Sequence, residues 1–325
     1  MRKIIPTSLA LLMTLTAYTA ALADDLPQRV VSLGPIITET IYLLEAEDRL
    51  IANTSYCKVP EAARHKTKVG TVIQFNVEKI VSLEPDLVLA SPLARRQQLT
   101  LLEKMGIRVI QVENPETFDK MCQMMLDIGR LLGAEEKARA IVSRSRREAK
   151  LVRDRVTDLP RKKVFIQIGL KPLHTAPENT FIHEYIQFSG GINVAADSVT
   201  GNYSREKVLE KNPDVILIAT MGSSQAGAQK EKHTWMNYPA LTAVKNNQVH
   251  VLDPEIICSP TAVSFVQGLR EIAGLIHPQI ETEPAPEPKA EPETDPETEP
   301  EAETGAAPGP DNQPSTSPEP LPLED

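Results

Sequence analysis

Residues able to do chemistry are sparse in this 325-residue chain, and their spacing argues for recognition rather than turnover. Bare zinc or manganese needs three or four converging ligands. His65, His183, His233 and His250 instead fall in different predicted elements. The three cysteines, Cys57, Cys122 and Cys258, have no CxxC or zinc spacing, so at most one disulfide is expected. GxSxG, GxGxxG, Walker and HExxH patterns are absent, as are paired carboxylates in a recognisable acid/base frame. What remains suits a non-covalent site. Arg95 and Arg96 offer planar forks for carboxylate or phosphate groups, or equally a solvated helix start. Tyr56 and His174 offer a lone ring and a lone imidazole in loops. Cys57 and Cys258 also lie in loops; a thiol ligand or a bridge is open to them, with inert free thiols the expected state. Glu78 and Glu206 stand at matched places in two similar stretches, "VEKIVSLEPDLVLA" (77–90) and "REKVLEKNPDVILIA" (205–219).

That repeat reports on the elements around it. "RVVSLGP", "RLIANT", "DLVLAS" and "IRVIQVE" read as strands separated by helical stretches. The order returns in "KKVFIQIG", "DVILIAT" and "QVHVLD", with a last helix from about Thr261 to Ile276. Strands alternating with helices imply parallel sheets covered on both faces. The pattern predicts an α/β chain of two parallel-sheet lobes, 28–133 and 160–278, with short helices opened by Asn76 and Ser204 at equivalent places. Between them, Ala138, Val142, Ser145, Ala149, Val152, Val156 and Leu159 step by three and four along a charged segment lacking internal Gly or Pro. This predicts one rigid helix within 134–159, about 25 residues or ~37 Å long. Its seam of Ser and Ala makes coiled-coil pairing a poor alternative.

Ligands of open parallel sheets sit beyond the carboxyl ends of the strands, so the cleft is expected between the lobes. The loops following strands contain Gly34-Pro35, 54–60, 70–75, 91–96, 171–179, 200–203, 220–227 and 253–260. From them Pro35, Tyr56, Thr71, Val72, Arg95, His174, Tyr203 and Glu255 are the candidate ligand-binding residues.

The ends differ from the middle. Residues 1–23 carry Arg2 and Lys3, an apolar run to about Ala17 and small residues before Asp24, the pattern of a cleaved export signal. The run falls short of the ~20 residues that span a bilayer. With the first cysteine at Cys57, a soluble, exported, monomeric protein is expected. Residues 279–325 hold 14 acidic side chains and one Lys with almost no large apolar residue, the composition of a disordered extension. Without that segment the charge is near neutral, so the acidic balance says nothing about the site.

Taken in order, "RVVSLGP..TE", "VGT...NVEKIVSLEPDLVLA", "LLEKMGIRVI", "NTFIHEYIQFSGGINVAAD", "YSREKVLEKNPDVILI" and "SPTAVSFVQGLREIAGLIHP" resemble the periplasmic substrate-binding proteins of ABC importers for iron-siderophores, haem and vitamin B12. The likeness covers essentially all of residues 28–278 and is nearest to cobalamin-binding members. It implies a receptor with no intrinsic cofactor that captures a cobalt or iron chelate and delivers it to a two-fold ABC permease, with no nucleic-acid partner. Glu78 and Glu206 match glutamates that dock on permease arginines, and Tyr56 matches a ring that meets the corrin. Val72, Ser91 and Thr200 stand where those relatives place further aromatics, which reduces stacking area. His174 replaces a phenyl ring; an axial metal ligand or a solvated histidine are its two readings. Val59 stands where haem binders carry an iron-ligating tyrosine, against haem by that mode. Trp235, with Tyr238 and Pro239, matches a motif that packs a helix. The alternatives are a haem or other metal-complex binder of the same fold, or an exported interaction module acting through its acidic tail.

Overall fold

The computed structural model describes residues 26–220 and 225–280; the expected export signal and nearly all of the acidic extension lie outside them. The first sheet contains β1 (Val30–Leu33), β2 (Leu50–Asn53), β3 (Thr67–Lys68), β4 (Leu87–Ala90) and β5 (Arg108–Gln111) in the order β3-β2-β1-β4-β5. The second contains β6 (Lys162–Gln167), β7 (Gly191–Asn193), β8 (Val215–Ile218) and β9 (Val249–Val251) in the order β7-β6-β8-β9. Every pairing is parallel. The inner strands β1, β4 and β8 are buried at every position, which is why they read as unbroken aliphatic runs.

The sequence repeat is a helix-to-strand device used once in each sheet. In the first, the helix Val77–Ser82 is capped by Asn76, whose side chain accepts from Lys79 N at 2.8 Å. In the second, the helix Arg205–Lys211 is capped by Ser204 through Lys207 N at 3.3 Å. Glu84 and Asn212 then take left-handed conformations, with φ of 47° and 44°, turning the chain toward the Pro-Asp pair. Asp86 accepts from the backbone N–H of Gln28 at 2.7 Å and of Arg29 at 3.0 Å, at the entry to β1. Asp214 accepts from Lys163 N at 2.8 Å in β6. Even the basic partner recurs: Arg29 Nη2 donates to Leu83 O at 2.7 Å, and Lys163 Nζ donates to Lys211 O at 2.8 Å. The Glu-Lys and Pro-Asp spacing therefore records where a short helix ends and which neighbouring strand its following loop is tied to.

The helix between the lobes runs without interruption over Glu135–Val156, 22 residues or about 33 Å. It buries Ala138, Val142, Ser145, Ala149, Val152 and Val156 as the spacing predicts, but it ends before Leu159, the last residue of the predicted stripe, which lies in the turn after Val156. It does not act alone. The helix Phe118–Leu131, whose apolar face of Phe118, Met121, Cys122, Met125 and Ile128 the sequence reading passed over, packs on it. The last helix, Ala262–Ile276, packs on both and on Phe181–Phe188. Phe118 stacks on Phe265 at 4.8 Å and Phe265 stacks on Tyr185 at 4.2 Å, so one aromatic pile links the lobes. Glu184 accepts from Phe118 N at 2.6 Å, and Arg270 pairs with Glu148 at 2.7 Å. A single apolar core consequently reaches from Leu87 and Leu89 of the first sheet to Val164 and Ile166 of the second.

Phe265→Ala removes the middle ring of this pile and is expected to cost about 3–5 kcal/mol of stability. Urea unfolding measures it. A loss below about 0.5 kcal/mol, the range of ordinary surface changes, would show that the pile is not what joins the lobes.

Candidate ligand-binding cleft

All strands of each sheet run the same way, so every loop that follows a strand emerges at one edge. Two side-chain contacts bring those edges together. Lys58, after β2, pairs with Glu255, after β9, at 3.5 Å. Thr261 Oγ1 donates to Glu39 Oε1 at 3.0 Å, reaching the helix Pro35–Leu43 that follows β1. Burial pushes the Glu39 carboxyl above its ordinary value, with Glu255 adding to the rise and Thr261 and Ser264 opposing it.

The sequence candidates occupy this edge unequally. Pro35 is half-buried at the first turn of its helix. Tyr56 stands 54 % exposed on the loop after β2. Thr71 closes a tight turn, accepting from Gln74 N at 2.9 Å and donating to Gln74 O at 3.1 Å. That turn faces Val72 inward, 8 % exposed, and leaves Ile73 50 % exposed at its tip. Leu93, on the loop after β4, is 68 % exposed, and Arg95 is exposed beside it at the cap of the helix Arg96–Lys104. Ile73 and Leu93 escaped the sequence reading because only the turn decides which side chain of a loop points out.

The second lobe presents a more polar wall. His174 is half-buried; its Nδ1 lies 3.3 Å from Asn202 Oδ1, and its ring lies over Gly201, where a Cβ would stand 2.6 Å from Cε1 and Nε2. Gly201, at φ +78°, is required by its backbone, and a Cβ there would also stand 2.8 Å from the Thr175 carbonyl oxygen. Tyr203 turns toward its own lobe: its ring lies 5.9 Å from Phe165, Lys207 Nζ sits 5.4 Å from its centroid, and its hydroxyl donates to Val194 O at 3.4 Å. Glu255 is engaged with Lys58.

The cysteines are free thiols. Cys57 is buried with its sulfur 3.1 Å from Thr38 Oγ1 and 3.2 Å from Thr54 Oγ1. Cys258 donates to Ala219 O at 3.1 Å, and burial pushes its thiol up to about 12. Neither suits a soft-metal ligand or a nucleophile. Among the described residues, no three His, Cys, Asp or Glu side chains converge on a metal position. Trp235 is fully buried, donating from Nε1 to Gln167 Oε1 at 2.7 Å, a packing role. Glu78 and Glu206 are both exposed at the second position of their capped helices. The Glu206 carboxyl is held below its ordinary value by its own backbone N–H and by Ser204.

Two parallel sheets whose carboxyl edges meet at Lys58–Glu255 and Glu39–Thr261 find their counterpart among known proteins. Residues 30–256 match the periplasmic binding protein family. The chain belongs to that family. An uncharacterised ABC transporter substrate-binding lipoprotein of Bacillus subtilis is 30 % identical over 261 residues, 78 % of this chain and 81 % of the relative. A cobalamin-binding protein of Halobacterium salinarum is 34 % identical over 207 residues, 61 % of this chain and 56 % of the relative's own length. The crystal structure of a periplasmic vitamin B12 binding protein of Vibrio cholerae superposes with a TM-score of 0.66 at 26 % identity, covering 77 % of this chain and 96 % of that one. The family is one of transport receptors, and this periplasmic binding protein is not an enzyme.

Glu39 yields a pH test. Its folded value lies above that of the unfolded chain, so its stabilising contribution is complete below about 4.5 and is lost as pH rises through the folded value. Glu39→Gln, which keeps an acceptor for Thr261 but carries no charge, is expected to compare best with wild type at pH 7. It should lose ground steadily as the pH falls toward 4.5. Urea unfolding of both proteins at pH 7 and pH 5 checks this, and a difference that does not change with pH contradicts it.

Proposed function

We propose that the protein is an exported receptor that captures cobalamin or a ferric siderophore in the interlobe cleft and hands it to an ABC importer permease dimer. The observation that carries the delivery half is the pair Glu78 and Glu206. Two exposed carboxylates stand on equivalent capped helices of two similar lobes, a spacing suited to a partner that is itself two-fold. Helix capping accounts for a Glu near a helix start, but it does not require one in each lobe.

The ligand half draws on the relatives named for cobalamin and vitamin B12 and on the chemistry of the cleft edge. Tyr56 supplies an exposed ring for stacking on a flat chelate. Arg95 supplies a fork for acidic or amide groups at its rim, and His174 supplies an imidazole held by Asn202 and Gly201. Haem ligated through a tyrosinate at position 59 is disfavoured, because Val59 stands there. The lobes share one core and touch at Lys58–Glu255 and Glu39–Thr261, so closure on binding is expected to be small and affinity to come from a preformed site.

Isothermal titration with cyanocobalamin, a ferric siderophore and haemin tests the ligand: failure of the first two would remove this reading, and binding of haemin alone would replace it with a haem receptor of the same fold. Tyr56→Ala is expected to weaken the bound chelate about tenfold, the scale of one lost aromatic contact. Reversal of both glutamates, E78K with E206K, is expected to leave that affinity within about twofold and to abolish uptake into cells. Normal uptake by the double variant would refute the docking role.

A further inference from the structure

The loop that carries Tyr56 is organised around a side chain of the adjacent strand. It leaves β2 after Asn53 and returns at β3, where Lys68 is the second residue. Lys68 Nζ donates to Asn53 Oδ1 at 2.7 Å, to Ala63 O at 2.9 Å and to Cys57 O at 3.3 Å. An ammonium has three protons and no acceptor, so all of its donors are spent inside this loop. Asn53 Nδ2 also donates to Ala63 O at 2.9 Å, which ties the first and last acceptors to each other. The group is half-buried, and burial lowers its affinity for a proton, so the three hydrogen bonds are what keep the ammonium in place.

The remaining contacts fix the segment on either side of the tyrosine. Ser55 N donates to Gly70 O at 2.8 Å and Cys57 N donates to Thr54 O at 3.1 Å. The Cys57 thiol is buried beside the Thr38 and Thr54 hydroxyls, and Arg64 Nε donates to Lys58 O at 3.1 Å. Both neighbours of Tyr56 are therefore tied down while its own ring stays exposed. A ring shown on a fixed turn has little conformational freedom left to lose when something stacks on it.

We propose that Lys68 is a positioning residue of the cleft: by gathering Asn53, Cys57 and Ala63 on one ammonium, it sets the loop between β2 and β3 so that Tyr56 is presented to the ligand. This rests on reading the cleft as a chelate site. Lys68 acts on the ligand only through Tyr56, and a loop without its ammonium loses the geometry that displays the ring.

The experiment uses the full chain as K68M, which keeps the aliphatic stem and removes three donors, and as K68R, which keeps a charged donor. The first readout needs no ligand. Limited trypsin digestion followed by mass spectrometry should show cleavage after Lys58 and Arg64 rising about tenfold in K68M, with cleavage after the distant Lys104 unchanged and K68R close to wild type. Unaltered cleavage after Lys58 and Arg64 overturns the proposal. The second readout is a double-mutant cycle, by calorimetry, with whichever of cyanocobalamin, ferric siderophore or haemin the wild type binds. K68M should weaken binding about tenfold in the wild-type background and by less than about twofold in the Y56A background. Equal losses in both backgrounds overturn the role of Lys68 and leave the cleft reading standing. A wild type that binds none of the three overturns the cleft reading, and this use of Tyr56 with it.

Discussion

Two sheets that share no strand are held in one body by the apolar faces of four helices. Val142, Ala149 and Val152 on the long helix, Met121 and Met125 before it, and Phe265 with Ile272 on the last helix are buried in one continuous core. The pile of Phe118, Phe265 and Tyr185 crosses from one lobe to the other within it. Every feature of the cleft depends on this layer, because it fixes the distance and the facing of the two carboxyl edges. The edge contacts themselves are slight. Lys58 and Glu255 are well solvated, and an exposed ion pair contributes little. Burial of aromatic and branched side chains contributes far more per residue, so the lobes are joined by the layer behind the cleft rather than by contacts across it.

The duplicated helix-to-strand device explains why the halves look alike, and its details show where they part. Behind Glu206, the Arg205 guanidinium lies 4.6 Å over the Trp235 ring and pairs with Glu231, which also accepts from Gln167 at 2.9 Å. The matching position before Glu78 is Val77, which packs against the first lobe's own apolar cluster. One helix is braced by a buried polar network and the other by aliphatic contact, yet both carry a carboxylate in solvent at their second position. A two-fold partner would meet the same charge on two differently supported mounts.

The cleft edge is unequal in a second way. Tyr56, Ile73 and Leu93 give the first lobe exposed apolar surface, and the loops that hold the first two are stitched by Ser55 N to Gly70 O at 2.8 Å. The second lobe answers with His174 and Asn202, with Tyr203 drawn inward. The two walls therefore differ in character, more apolar in the first lobe and more hydrogen-bonding in the second.

Periodicity made much of the architecture legible in the sequence. The alternation of strands and helices, the caps at Asn76 and Ser204, and the buried stripe from Ala138 to Val156 were all readable, because they depend on the local rules of helix and strand. The helix Phe118–Leu131 is equally local in origin, with its cap at Thr117 and apolar residues at helical spacing after it, although much of that face is methionine rather than branched aliphatic. Tertiary structure alone decided that Val72 faces inward and Ile73 outward, that Tyr203 packs in its own lobe, and that Glu39 meets Thr261 from 222 residues away. The physical reason is range. Backbone periodicity is set by neighbours within a turn or two, whereas the orientation of a loop side chain is set by whatever the fold brings against it. For the same reason Lys68 reads in sequence only as a charged residue in a loop, and the folded chain alone shows what its ammonium gathers.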